Sequence, residues 1–576
     1  MDDNEGIFFR HLINAWEMRR YVALSYTWEP SEDEDRTSGW YRVEDRSQSR
    51  CFESPVRNCV FERVTKYMRH EEVDLLWIDR HSIPQGEPCD RKSAGLQSMD
   101  WVYKQSAHPL ALLGRPIGSR YELQLLYEIL KGRFVVGRYE AGHSHHQLSE
   151  NASRRRARDA LLLLHEITSD LWWRRAWTFQ ENYKGGRAMT LLISHWPPWD
   201  GQKRRYRIFG DIPGELCINS VQFSDQATRL CQAFQRAESQ TPEEKRAIKA
   251  ITTRAGRYAV LLNKSESMAP AIIADVERRG VSNPWDRLAI VANCCSYPVR
   301  LHIQQLREEG HSLSLSMLAM CLLNGQILHN GRPSQRPVSG MTVSEFLKAQ
   351  SFDGLSSPRY EPSLTFNKGC RFVDVKLTET GVLTSGHLWE LGPTIPTAQF
   401  GSHLPPVGNV PGALGPQEQQ LLTQLWRKLD SHCETRTLAS HRENEPFGFS
   451  ENYMLMMAAE VASAIREGKV LRRGRLEGQD QYSAIFVWGD DSSEGPAFVF
   501  TSSQPRNPDS RGHDANDTDR HVSLEVELGP MARQTGNGLP HLYVKRWVHG
   551  LCFFVGCPRE EVIFPWPPDL KSICPG

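Results

Sequence analysis

The chain of 576 residues holds thirteen cysteines but not one CxxC pair. Cys294 and Cys295 are adjacent, and Cys552 and Cys557 stand too far apart for a knuckle. That scatter argues against structural zinc and a disulfide framework, so buried reduced thiols and no metal are expected. Long apolar runs are also missing. "LAIVANCC" and "LSLSMLAMCLL" fall short of the roughly 20 residues a membrane-spanning helix needs. The start, "MDDNEG", lacks the basic and apolar parts of a secretory leader, which predicts a soluble, cytoplasmic protein. Net charge is absent as well: 69 basic residues balance 69 acidic ones, so no global field favours nucleic acid or an anionic membrane. There is no GxxxxGK[ST] phosphate loop and no internal repeat.

What is present in the first third is alternation. "YVALSY", "DLLWID", "PLALLG" and "AMTLLIS" read as strands. Helical spacing runs through "CVFERVTKYMR", "LQSMDWVYKQSA", "YELQLLYEILKG" and "ARDALLLLHEITSDLWWRRAWTFQENY", the last broken near its Trp pair. Strands alternating with helices predict an α/β domain with a mainly parallel sheet over residues 1–200. The insert between Arg138 and Arg158 reads as a surface loop; its His143, His145 and His146 lack a partner to complete a metal site. "SRRRAR", "KRRYR" and "LRRGR" have no interleaved aromatics and read as solvated ends or loops, so no nucleic-acid partner is expected. Residues 201–340 read as helical and 341–415 as a Pro/Gly-rich irregular connection. Residues 416–576 read as helices, among them "ENYMLMMAAEVASAIREG", followed by a β-rich module, with "SAIFVWGDDSSEGPAFVF" as a hairpin and strands in "HVSLEVE", "HLYVKRW", "LCFFVG" and "EVIFPW".

Three segments concentrate chemistry: "YVALSYTW", "LLWIDRHSIPQ" and "LWWRRAWTFQE". Each carries polar and aromatic residues at the end of an apolar element, where a doubly wound sheet forms its crevice. In this order they resemble the three motifs of the fungal heterokaryon-incompatibility (HET) domain, roughly Y-x-A-L-S-Y-x-W-G, L-W-I-D-x-x-C-I-N-Q and W-x-R-x-W-x-x-Q-E. The Met, Tyr and Ala that the family carries between the last two stand here as Met99, Tyr103 and Ala107. The resemblance covers about residues 15–200. The chain departs from the pattern at Glu29, which opens the acidic "EPSEDED" loop, and at Ser82 and Pro84, where the family has Cys and Asn. A cysteine nucleophile is thus not expected there, and the acidic loop works against an anionic dinucleotide.

HET domains are regarded as distant relatives of Toll/interleukin-receptor (TIR) domains. The resemblance therefore implies a flavodoxin/TIR-like parallel sheet. Some TIR domains cleave NAD with a helical glutamate in W-C-x-x-E, an interval shared by Trp177 and Glu181. On that comparison Glu181 is the candidate catalytic residue, stabilising an oxocarbenium-like ribose electrostatically. Trp28 or Trp177 would stack on nicotinamide, Arg174 or Arg175 would hold a phosphate, and Tyr26 and Gln85 would reach the ribose. No cofactor is required; NAD would be a substrate.

The competing reading is a structural polar network. Trp173 and Trp177, four apart, would then line the core, and Asp79 would cap the next helix or pair with Arg175. On either reading Gln85 and Gln180 would be backbone tethers. Two functions follow from the resemblance. One is a cell-death-inducing recognition module of fungal self/non-self discrimination, working through protein partners including its own copies. The other is an NAD glycohydrolase.

Overall fold

The computed structural model describes residues 6–32, 34–45, 50–86, 90–140, 143–237, 239–255, 268–327, 329–330, 341–350, 371–404, 416–431, 458–459, 461–477, 479–488, 497–502, 522–529, 538–551 and 558–567. These fall into two compact units. Among the described residues the first comprises those up to Ala255 and from Ala274 to Ser296; the second takes up the remainder.

The first unit is built on a five-stranded sheet of Val22–Ser25, Leu76–Trp77, His108–Ile117, Thr190–His195 and Glu215–Asn219. Numbered along the chain, the strands lie in the order 2-1-3-4-5. Three neighbouring pairs are parallel, and Glu215–Asn219 runs antiparallel to Thr190–His195. Strand side chains alternate between two buried layers, as the period of two demands. Ala23, Ala111, Leu113, Leu191 and Ile193 enter one core with the helices Arg120–Leu130, Arg154–Ile167, Ser220–Gln235 and Pro242–Arg254. Val22, Leu24, Leu110, Leu112 and Leu192 enter the other, against Val60, Phe61 and Val64 of the helix Asn58–His70. Each fully buried aliphatic side chain contributes about 1.5–3 kcal/mol. Covering both faces explains why these strands read as continuous apolar runs.

Between helix and sheet edge lies a buried ion pair. Arg63 meets Glu215 through Nε–Oε1 at 2.7 Å and Nη2–Oε2 at 2.9 Å, and donates to the Leu113 and Leu192 carbonyls at 2.7 and 2.8 Å.

Several sequence expectations change. "DLLWID" yields only the two-residue strand Leu76–Trp77, because Asp79 already begins the turn of helix Asp79–Ser82. The expected loop between Arg138 and Arg158 contains a hairpin of Val135–Glu140 with His143–Leu148, whose ladder the histidine count obscured. The strand Glu215–Asn219 was not expected within the helical stretch 201–340, and it carries the sheet beyond residue 200.

In the second unit, the stretch 341–415, expected as an irregular connection, holds the strand Gly381–Ile395, the longest among the described residues; 351–370 and 405–415 lie outside them. Its glycines mark close approach rather than looseness: a Cβ on Gly386 would stand 2.4 Å from the Thr501 carbonyl oxygen. This strand pairs antiparallel with Val470–Leu476, Phe498–Ser502 and Glu560–Pro565 in a nine-stranded sheet. The expected hairpin does not form. Gln479–Trp488 pairs with Val470–Leu476, while Phe498–Ser502 pairs with Gly381–Ile395. The strands expected in "HVSLEVE", "HLYVKRW" and "EVIFPW" are present as Val522–Leu528, Leu542–Trp547 and Glu560–Pro565. Most of "LCFFVG" lies outside the described residues, as does the first part of "ENYMLMMAAEVASAIREG".

Candidate functional site

The three motif segments meet at the carboxyl end of strand Val22–Ser25. Ser25 and Tyr26 are consecutive, so their side chains leave on opposite sides of the sheet and found two clusters. On one side the fully buried Ser25 Oγ accepts from the indole Nε1 of Trp172 at 2.7 Å and donates to Oε2 of Glu181. Trp172 comes from the short helix Leu171–Arg174 and Glu181 from the helix Ala176–Gly185. Tyr103 completes the group: its hydroxyl donates to the Leu24 carbonyl at 2.8 Å and also contacts the Glu181 carboxyl.

Burial pushes the Glu181 carboxyl up to about 8, against the hydrogen bond from Ser25 and with the nearby charge of Asp79. The proton inventory agrees. The single proton of Tyr103 is engaged at Leu24, so the neutral acid of Glu181 can complete the ring as donor. At neutral pH this carboxyl carries mainly a proton rather than a charge.

On the other side, Asp79 accepts from Trp28 Nε1 at 2.8 Å and from the Arg80 backbone N–H at 2.6 Å, with the Tyr26 hydroxyl as a further donor. Burial raises it to about 6, while Trp28, Arg80 and Arg175 hold it down. Three donors and a milder shift leave Asp79 mostly ionised where Glu181 is not. The Arg80 guanidinium covers the Trp28 ring at 4.5 Å, and Gln85 Nε2 ties back to the Asp79 and Ile83 carbonyls at 3.1 and 2.8 Å. Gln85 is thus a backbone tether.

A doubly wound sheet offers its crevice where strand order reverses, here between Val22–Ser25 and His108–Ile117. The acidic loop folds into that place. A Cβ on Gly114 would stand 2.3 Å from Ser31 Oγ and 2.9 Å from the Glu34 carboxyl carbon, so only glycine lets the loop settle. Glu34 is held by Arg57 at 3.1 Å, and Arg57 donates to the Thr27 and Trp28 carbonyls at 2.8 and 2.7 Å. Asp170, unremarked in the sequence, accepts from the backbone N–H groups of Gly114, Arg115 and Trp172, each at 2.8 Å.

The remaining candidates disperse. The backbone breaks at Arg175, whose ψ is 144°, so Trp173 and Trp177 belong to separate helices rather than one apolar stripe. Trp173 is buried against Trp172 and Phe223, whereas Trp177 donates to Asp286 at 3.2 Å. Gln180 is fully buried and accepts from Asn293 Nδ2 at 3.1 Å, a side-chain tether. Arg175 acts electrostatically on both Asp79 and Glu181 but forms no ion pair with either among the described residues. Arg174 and Arg175 line a separate cleft of about 610 Å³, whose wall includes none of Tyr26, Trp28, Asp79, Gln85 and Glu181.

Ser25 and Trp172 were present in the quoted motifs but carried no assignment. Strand alternation would have placed Ser25 opposite Tyr26; nothing local announces that Trp172 turns inward to meet it. Among the described residues, no group of three or more His, Cys, Asp or Glu is arranged to hold a metal ion, and His146 engages Gln232 at 3.0 Å. No described helix is long and apolar enough to cross a membrane.

No curated protein matches the chain, and no solved structure does. The stretch that supplies Ser25, Asp79, Tyr103 and Glu181, residues 21–181, matches the family model described as Heterokaryon incompatibility protein (HET).

Proposed function

We propose that the N-terminal unit is a cell-death-inducing recognition module of fungal self/non-self discrimination, acting in the cytoplasm through association with protein partners and its own copies. One observation carries this reading: Glu181 is buried and hydrogen-bonded to Ser25, and that burial raises its carboxyl to about 8, toward the neutral form. A carboxyl in that state cannot stabilise a developing cation, but it can lock two motif segments together. The acidic loop packed over Gly114 points the same way, since it occupies the crevice a nucleotide would use. The 2-1-3-4-5 strand order is that of flavodoxin-like sheets and supports a TIR-like ancestry, with the antiparallel last strand as a departure.

A second reading, NAD cleavage, draws support from two carboxyls whose environments separate their protonation states beside Arg175, a pattern common in acid–base sites. Expression of the full chain and of Glu181→Gln in a fungal host separates the two. The recognition reading expects equal growth arrest with unchanged cellular NAD. Loss of arrest in the variant, together with NAD depletion by the unaltered protein, would establish the enzyme instead.

A further inference from the structure

The first unit contains a further polar concavity, apart from the Ser25–Glu181 and Tyr26–Asp79 clusters. The cleft of about 610 Å³ is walled by the helices Leu171–Arg174 and Pro242–Arg254 and by residues 278–282. Six arginines and one lysine line it, against one acidic side chain, Glu29. Its volume falls within the roughly 300–1,000 Å³ usual for small-molecule sites.

Two of the arginines are held in place by hydrogen bonds to uncharged acceptors. Arg254 donates to the Thr168 carbonyl at 3.2 Å and to Ser169 Oγ at 2.9 Å, both uncharged acceptors. Arg279 is buried over the Phe179 ring at 4.7 Å and donates to the carbonyls of Trp173 and Arg254. The segment carrying Arg278 and Arg279 is pinned beside Arg175 by a bridge at Gly280, whose N–H donates to the Arg174 carbonyl at 2.8 Å and whose carbonyl accepts from the Ala176 N–H at 2.9 Å. Among the described residues Arg174, Arg175, Lys249, Arg254 and Arg278 form no ion pair. The crowding is felt within the cluster, since burial and the charge of Arg174 both make the Arg254 guanidinium a weaker base. Like charges fixed side by side are destabilising alone and become favourable once an anion enters.

We propose that this cleft is a binding site for a small anion carrying two or more phosphoryl groups. Several converging guanidinium forks suit phosphoryl oxygens, which accept them in pairs. The volume of about 610 Å³ suits a compact ligand. Single-stranded nucleic acid fits less well, because the lining aromatic, Trp173, is buried 1% exposed against Trp172 and Phe223 and offers no stacking face. The site does not depend on the fate of Glu181, which lies outside its wall.

Isothermal titration of the full chain with inorganic tripolyphosphate at about 0.15 M salt, where surface attraction is screened beyond ~8 Å, tests the site. Saturable binding of one anion per chain is expected. Lys249→Glu combined with Arg278→Glu, both exposed positions, should weaken it at least tenfold, and Glu29→Gln should tighten it a few-fold. Thermal unfolding checks that the variants fold; the milder pair Lys249→Gln and Arg278→Gln, expected to weaken binding several-fold, replaces the reversals if they do not. Competition by a nucleoside triphosphate or by an inositol polyphosphate supports the site and identifies which scaffold carries the phosphates. No saturable heat, binding indifferent to the charge substitutions, or tighter binding of a single-stranded oligonucleotide would each overturn the proposal.

Discussion

Glu215 and Glu181 are both acidic side chains shut inside the first unit, yet their surroundings treat them in opposite ways. Glu215 receives a two-pronged grip from Arg63, which also donates to two strand carbonyls. Glu181 receives a hydroxyl from Ser25, with Tyr103 at its side and no cation within ion-pairing distance among the described residues. The contrast teaches that burial alone does not decide what an acid becomes. A matched cation makes it a structural strut; hydroxyl partners leave desolvation in command, and the group keeps its proton.

The largest test removes the strut. Arg63→Ala leaves Glu215 uncompensated and should cost the first unit about 3–5 kcal/mol, read as a shift of its transition in urea unfolding. A loss under ~1 kcal/mol would erase the distinction between the two acids.

Next is pH. The Glu181 carboxyl is raised from 4.5 to about 8 in the folded protein, so between these values the folded state retains a proton that the unfolded state releases. Stability should therefore be fullest below pH 4.5 for this group and fall as pH rises through 8, by up to about 1.4 kcal/mol per unit. Asp79, raised from 3.8 to about 6, adds a fall in the same direction over its own window. Glu181→Gln should flatten the upper part of the decline in unfolding experiments at pH 6–9. An unchanged slope would mean that Glu181 is ionised when folded.

The smallest effect sharpens the comparison at the surface. Arg80 covers Trp28, which is 41% exposed, so Arg80→Ala should cost about 0.5–1 kcal/mol and make Trp28 fluorescence more sensitive to quenchers.

The sheet of the first unit was legible because its strands are buried on both faces and bounded by turns, as in "PLALLG". The meeting of Tyr26 and Asp79 was legible through motif order, for Asp79 receives Tyr26 directly; Arg175 acts on Asp79 only electrostatically and lines the separate cleft. What could not be read was closure. Whether Glu181 faces a crevice depends on Ser31 settling over Gly114 and on the backbone break at Arg175, both decided by packing between segments distant in sequence. In the second unit, proline and glycine density misled. The glycines of Gly381–Ile395 admit neighbouring strands, and pairing skips from that strand to partners more than seventy residues away.

The brevity of the strand Leu76–Trp77 has a bearing on assembly. It is an outermost strand of the five-stranded sheet and is two residues long, so it can offer a visiting chain scarcely one rung of main-chain hydrogen bonding. Copies of this unit that associate on that flank must be joined by side chains from helices and loops. Such a joint answers to single substitutions and to ionic strength, and it resists the indiscriminate zippering that a long, bare border would invite.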